Sequence, residues 1–135
     1  MEKINKLKKF FKSEKIDGYI IPKNDEFFGE YIPDHKDRLK YITGFSGSYG
    51  FALILNSQNY LFVDGRYTLQ ANKQSGKFFK IKTIPHELPK KILKNKKLKI
   101  GFDPKLFTTK TLNIFFGKTN CKYIPLSSNL IDEFW

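Results

Sequence analysis

Two short apolar runs with a polar spacer constrain this chain most: Phe51 to Leu55 and Tyr60 to Val63, with Asn56 to Asn59 between them. A five-residue apolar run is long enough for a buried strand and too short for a stand-alone helix. The turn-forming spacer therefore makes the pair a hairpin with a four-residue loop. A loop punctuated by Gly44, Gly47 and Gly50 leads into the hairpin, and Asp64-Gly65-Arg66 leaves it. From Tyr67 the pattern suggests a helix with Leu69 and Ala71 turned inward. A charged triplet at the end of a buried strand is held rigidly by the sheet while its side chains face solvent or a cleft, which is where function usually sits.

The flanking segments supply an alternation of helices and strands. Ile4, Leu7, Phe10 and Phe11 fall at helical spacing against lysines on the other faces. Tyr19-Ile20-Ile21 reads as a short buried strand stopped by Pro22, and Asn24-Asp25 as the cap of a helical turn through Tyr31. Lys36 to Ile42 forms a second helical piece, carrying Leu39, Tyr41 and Ile42 toward the core. Beyond the hairpin, strands are expected at Phe78 to Ile84, around Leu98 to Phe102, and at Tyr123 to Leu126, where Pro125 marks a sheet edge or a strand end. A short helix beginning at Pro85-His86 turns Leu88, Ile92 and Leu93 inward, and Thr108 or Thr109 caps another carrying Leu112, Phe115 and Phe116. These elements give an α/β domain of three layers, a mixed sheet of about six strands flanked by helices.

One domain, residues 1–135, accounts for the whole length. The longest apolar run is five residues, which excludes a membrane-spanning helix, and the basic N-terminus lacks the apolar centre of a secretion signal. A single cysteine, Cys121, allows no internal disulfide and suits a reducing compartment. The net charge of +12 invites a nucleic-acid partner. Yet only Arg38 and Arg66 among the 25 basic residues are arginine, the side chain whose planar fork pairs phosphates and base edges. The lysines are read as solvated faces, with no nucleic-acid partner expected. Where lysine stands almost everywhere, the two arginines mark places where a point charge does not suffice.

A search for catalytic sets yields none. His35 and His86 lie in polar, proline-flanked loops, and neither is spaced from a carboxylate or a second histidine as metal ligands are. Asp34 and Asp37 around His35 form a small acidic cluster too loosely placed to suggest a metal. Ser46 and Ser48 have no neighbouring base, and no P-loop lysine follows the glycines, which are read as backbone requirements for tight turns.

Several segments together resemble a known family. They are Gly29-Glu30-Tyr31-Ile32-Pro33, Arg38-Leu39, Thr43-Gly44-Phe45-Ser46-Gly47-Ser48 with Gly50, and Val63-Asp64-Gly65-Arg66-Tyr67 with Leu69-Gln70-Ala71. Gly101-Phe102-Asp103-Pro104 and Asn129-Leu130-Ile131-Asp132 with Trp135 continue the series. They resemble the N-terminal domain of the creatinase, prolidase and Xaa-Pro aminopeptidase family, in the wording of its long, three-domain Xaa-Pro aminopeptidases (aminopeptidase P). Phe27-Phe28 and Tyr49 depart from the usual pattern, a polar pair and a small residue respectively, and bear on local loop packing.

The resemblance implies a creatinase-type, ribonuclease H-like fold and a non-catalytic role. In such enzymes a separate C-terminal pita-bread domain, absent from this chain, holds two divalent metal ions, commonly Mn2+, and hydrolyses the bond between an N-terminal residue and a following proline. This chain is then expected to bind no metal, to have no catalytic residues of its own, and to be inactive alone. Its implied role is to narrow access to the site and contribute to substrate binding, with Arg66 reaching the bound peptide. A structural reading stands beside this one, in which Arg66 only pairs with Asp64, itself expected to cap the following helix. Arg38 is expected to anchor its helix to the glycine loop. The implied whole enzyme is a cytoplasmic homodimer, packed on its own C-terminal domains and acting on peptides with proline second, without a membrane partner. Phe134 and Trp135, expected to stand unburied, favour a first piece of a larger protein over a free-standing binding or regulatory module on the same fold.

Overall fold

Ile4, Leu7 and Phe11 bury one stripe of the first helix, α1 (Glu2–Glu14), and leave its lysines in solvent. The structure, a computed structural model, describes residues 2–23 and 32–135. The turn expected from Asn24-Asp25, the Phe27-Phe28 pair and Gly29 to Tyr31 lie outside the described residues. Strand β1 (Gly18–Pro22) retains Pro22 as its last residue, opposite Phe51 of β2 (Phe51–Leu55). Before β2, the expected second helix divides into a 3-10 turn (Asp34–Lys36) and α2 (Arg38–Thr43). The division falls at Asp37, whose non-helical backbone lets its carboxylate accept the Lys40 N–H as an N-cap at 3.2 Å.

The hairpin forms as expected, with β3 (Asn59–Asp64) antiparallel to β2. Its connection is one residue shorter than the sequence suggests, because Asn59 already pairs with Ile54. The chain continues through α3 (Thr68–Ser75), β4 (Lys80–Ile84), α4 (Pro89–Ile92), β5 (Lys99–Phe102), α5 (Thr109–Phe116) and β6 (Lys122–Pro125). The six strands make one sheet in the order β4-β3-β2-β1-β5-β6, in which β2 alone runs antiparallel to its neighbours. Pro125, without an N–H to donate, sits on an edge strand as expected.

Strand alternation divides the core into two layers. Ala52 and Ile54 of β2 and Leu61 and Val63 of β3 face α1, α2 and α3, whereas Phe51, Leu53 and Phe62 face the side of α5. Burial of each large apolar side chain contributes about 1.5–3 kcal/mol relative to exposure.

Other expectations are corrected. Leu69 is 70% exposed, because Ala71 and Ser75, one helical turn apart, are the buried face of α3. A residue two positions from Ala71 lies about 200° around the helix. The helix expected from Pro85 begins only at Pro89, since residues 85–87 form a turn closed by the Glu87 N–H on the Thr83 carbonyl at 2.9 Å. Phe134, expected to stand unburied, is half-buried and stacks on Phe10 at 6.2 Å, whereas Trp135 is 43% exposed as expected, with its ring against Tyr41 at 4.6 Å.

Those aromatics follow a 3-10 turn (Leu130–Glu133) that is tied down by a buried polar network. Asn129 caps the turn by accepting the Ile131 N–H at 3.0 Å and donates its amide to Asp103 at 3.0 Å. The Leu130 N–H donates to the Tyr19 hydroxyl at 3.2 Å. Arg38, only 6% exposed, grips Asp132 through Nε at 2.8 Å and Nη2 at 2.9 Å. It therefore anchors α2 to this C-terminal turn and not, as expected, to the glycine loop.

Asn129→Ala removes the cap and orphans a carboxylate oxygen in the core, an expected loss of about 2–3 kcal/mol. Urea unfolding measures it, and a change below about 0.5 kcal/mol means the network adds nothing to stability.

Candidate functional site

β3 and β4 run parallel and finish together, with Asp64 opposite Ile84, so the Asp64-Gly65-Arg66-Tyr67 segment emerges at the C-terminal ends of these two strands. Asp64 has extended backbone and caps the 3-10 turn Gly65–Tyr67, accepting the Arg66 N–H at 2.8 Å. The capping role read from the sequence thus holds, on a 3-10 turn that leads into α3. The Arg66 guanidinium folds back on the same carboxylate, with Nε to Oδ1 and Nη2 to Oδ2 both at 3.1 Å. It lies 5.3 Å from the centre of the Tyr67 ring, and its side chain is 74% exposed.

The glycine loop braces this corner from behind. Gly44 takes the left-handed conformation, φ 80°, and closes α2 with its N–H on the Lys40 carbonyl. The Phe45 ring then fills the space inside the loop, and a Cβ on Gly47 would come within 2.2 Å of it. Phe45 meets the Tyr67 ring edge-on at 6.0 Å, and the Tyr67 hydroxyl bonds that of Ser48. Ser46 is tied to α3, since its Oγ accepts from the Gln70 and Gln74 amides at 3.0 and 2.9 Å. Both serines are occupied as fasteners of the loop.

Charge at the corner is locally balanced. The hydrogen bond from the Arg66 side chain, with that from its backbone N–H, holds the Asp64 carboxyl below the usual carboxylate range. Asp64 raises Arg66 in turn, through hydrogen bonding first and Coulomb attraction second. The pair is therefore intact at neutral pH and is lost only as pH falls through the lowered Asp64 value. Tyr49 is pushed up by burial and then by the charge of Asp64.

Beside the pair lies a shallow, largely apolar depression of about 300 Å³, with Tyr49, Asp64, Ile84, Leu88 and Ile114 in its lining. Sequence reasoning missed this feature. It assembles from a loop, the ends of β3 and β4, the turn before α4, and α5, so no single stretch signals it, although Ile114 falls off the apolar face of α5 and is half exposed. The Ser48–Tyr67 tie, nineteen residues apart, likewise has no sequence signal.

The remaining candidates lie elsewhere. His35 and His86 are exposed, and Cys121 donates its thiol to the Lys96 carbonyl at 3.3 Å. Asp37 is committed to the Lys23 ammonium at 2.6 Å as well as to its cap. Among the described residues no three His, Cys, Asp or Glu side chains are grouped to hold a metal. Among them, too, no helix is long and apolar enough to cross a membrane.

Residues 3–134 match the family model of the creatinase/prolidase N-terminal domain. The chain belongs to this family. Within it, the chain is 36% identical over 145 residues to a Xaa-Pro aminopeptidase of Dictyostelium discoideum, a match covering 98% of this chain and 23% of that protein. It is 32% identical to a Xaa-Pro aminopeptidase of Drosophila melanogaster, over 89% of this chain and 21% of the relative. The crystal structure of X-prolyl aminopeptidase from Caenorhabditis elegans, described as a cytosolic enzyme with a di-nuclear active site, superposes with a TM-score of 0.87 at 29% identity. That likeness covers 99% of this chain and 25% of the nematode enzyme. The creatinase-type domain spans about a quarter or less of the curated relatives it matches.

Proposed function

We propose that this chain is the non-catalytic N-terminal domain of a metal-dependent Xaa-Pro aminopeptidase, which removes the N-terminal residue preceding proline. The observation that carries the reading is the likeness to a quarter of the nematode X-prolyl aminopeptidase, with 29% identity and a shared fold over 99% of this chain. The domain shapes access to the active site and adds to substrate binding through Arg66, whose guanidinium is exposed and paired with Asp64 at the end of β3. An arginine suits this task because its planar fork clamps a carbonyl or carboxylate in one orientation.

Two divalent ions, Mn2+ in this reading, belong to a pita-bread domain outside these residues, in keeping with the di-nuclear site described for the nematode enzyme. The whole enzyme is a cytoplasmic homodimer acting on peptides with proline second, and this domain packs on its own C-terminal domains. What the residues of this chain contribute is binding, orientation and exclusion of bulk solvent at the entrance.

The test compares the 135-residue chain with the full-length protein. With Mn2+ and an Xaa-Pro peptide, the full-length protein is expected to release the N-terminal residue and to stop on chelation, while the chain alone stays at background. Metal-dependent turnover by the chain alone, or none by the full-length protein, overturns the assignment.

A further inference from the structure

The Asp64 carboxylate contacts Arg66 at three atoms, and the geometry of two of them matters beyond capping. Arg66 Nε meets Oδ1 and Nη2 meets Oδ2, both at 3.1 Å, which is a side-on, two-point grip. A guanidinium carries five N–H donors. The side-on grip uses the Nε–H and one Nη2–H, leaving the outer edge, formed by Nη1 and the second Nη2–H, able to take another acceptor. Among the described residues no hydrogen bond engages Nη1 of Arg66, and the side chain is largely in solvent. An exposed arginine without such a grip samples many rotamers and loses that freedom on engaging a ligand.

We infer that Asp64 is a positioning residue: it holds Arg66 side-on so that only the Nη1–Nη2 edge faces an acceptor oxygen of the bound peptide. The inference rests on the reading that Arg66 touches the peptide, and it gives Asp64 a part in substrate affinity that capping alone does not. Tyr67 supports the arrangement, since the guanidinium lies over its ring while its hydroxyl is fastened to Ser48. A grip of this kind acts before the chemistry. It pre-pays the ordering of the side chain and so appears in KM while leaving kcat in place.

A double-mutant cycle in the full-length enzyme tests it, with steady-state kinetics on one Xaa-Pro peptide for the wild type, Asp64→Asn, Arg66→Ala and the double variant. Asp64→Ser serves as a second replacement, because serine keeps a capping oxygen for the Arg66 N–H while abolishing the grip. Either Asp64 variant is expected to raise KM roughly three- to tenfold with kcat near wild type, and to add less than about twofold once Arg66 is alanine. A merely structural Asp64 lowers kcat per mole through loss of folded enzyme and leaves KM alone. KM unchanged in both Asp64 variants while Arg66→Ala raises it overturns the inference and spares the peptide contact. So does an Asp64 effect that persists in full on the Arg66→Ala background. An Arg66→Ala enzyme with wild-type kcat/KM overturns the peptide contact itself, and the inference with it.

Discussion

Arg66→Ala in the full-length enzyme is expected to lower kcat/KM for an Xaa-Pro peptide on the order of tenfold to a hundredfold, the worth of one charge-assisted hydrogen bond to substrate. The melting temperature and metal content are expected to stay near wild type. Arg66 is the more exposed partner of its ion pair, and its removal leaves no buried group unsatisfied. Arg66→Lys is expected to recover only part of the loss, because an ammonium on a flexible stem cannot reproduce a planar fork. The structural reading of the same residue makes the opposite forecast, a less stable protein with intact kinetics. A lowered melting temperature beside unchanged kcat/KM in Arg66→Ala would end the clamp reading.

The second large effect belongs to the loop behind that arginine. Phe45 has no solvent-exposed surface and is enclosed by Gly47, Gly50 and the Tyr67 ring. Phe45→Ala is expected to cost about 3–5 kcal/mol, transfer and cavity together, which lowers the melting temperature by roughly 10–20 °C for a domain of this size. Gly47→Ala attacks the same contact from the other side and is expected to cost about 1–3 kcal/mol by overpacking. Because the added methyl meets the Phe45 ring, the two sites should not be additive. Gly47→Ala combined with Phe45→Leu is expected to be milder than the sum of the single changes by about 0.5–3 kcal/mol. Strict additivity in thermal or urea unfolding means that the loop relaxes away from the ring and that Gly47 serves some other purpose.

The elements most legible in the sequence were those whose geometry is dictated locally. The hairpin follows from two apolar runs and a turn, Asp64 caps because an extended aspartate precedes a turn, and Pro125 falls on an edge strand because it lacks a donor. Errors arose where distant partners decide. Leu69 satisfies an inward pattern equally well, yet the sheet meets the face of α3 that carries Ala71 and Ser75. Arg38 is expected to hold α2 to the glycine loop, whereas its carboxylate partner Asp132 lies 94 residues away. At the site, the motif around Arg66 was readable as a motif. Its side-on pairing with Asp64 and the apolar depression beside it depend on how a loop, two parallel strand ends, the turn before α4, and α5 meet.

The ties between the first helices and the final turn have a consequence for synthesis on the ribosome. Leu130 and Ile131 complete the apolar layer that also contains Ile4, Leu7 and Phe11, and Tyr19 meets the Leu130 amide 111 residues further along. The β2–β3 hairpin can close as soon as it emerges, but the layer beneath α1 stays open until residues 129–132 have been made. Loop closure over such a separation delays the contacts that reward it, and apolar surface left waiting is where unfinished chains associate. A nascent chain stalled before Asn129 is therefore expected to recruit chaperones, and one that has passed Trp135 to release them.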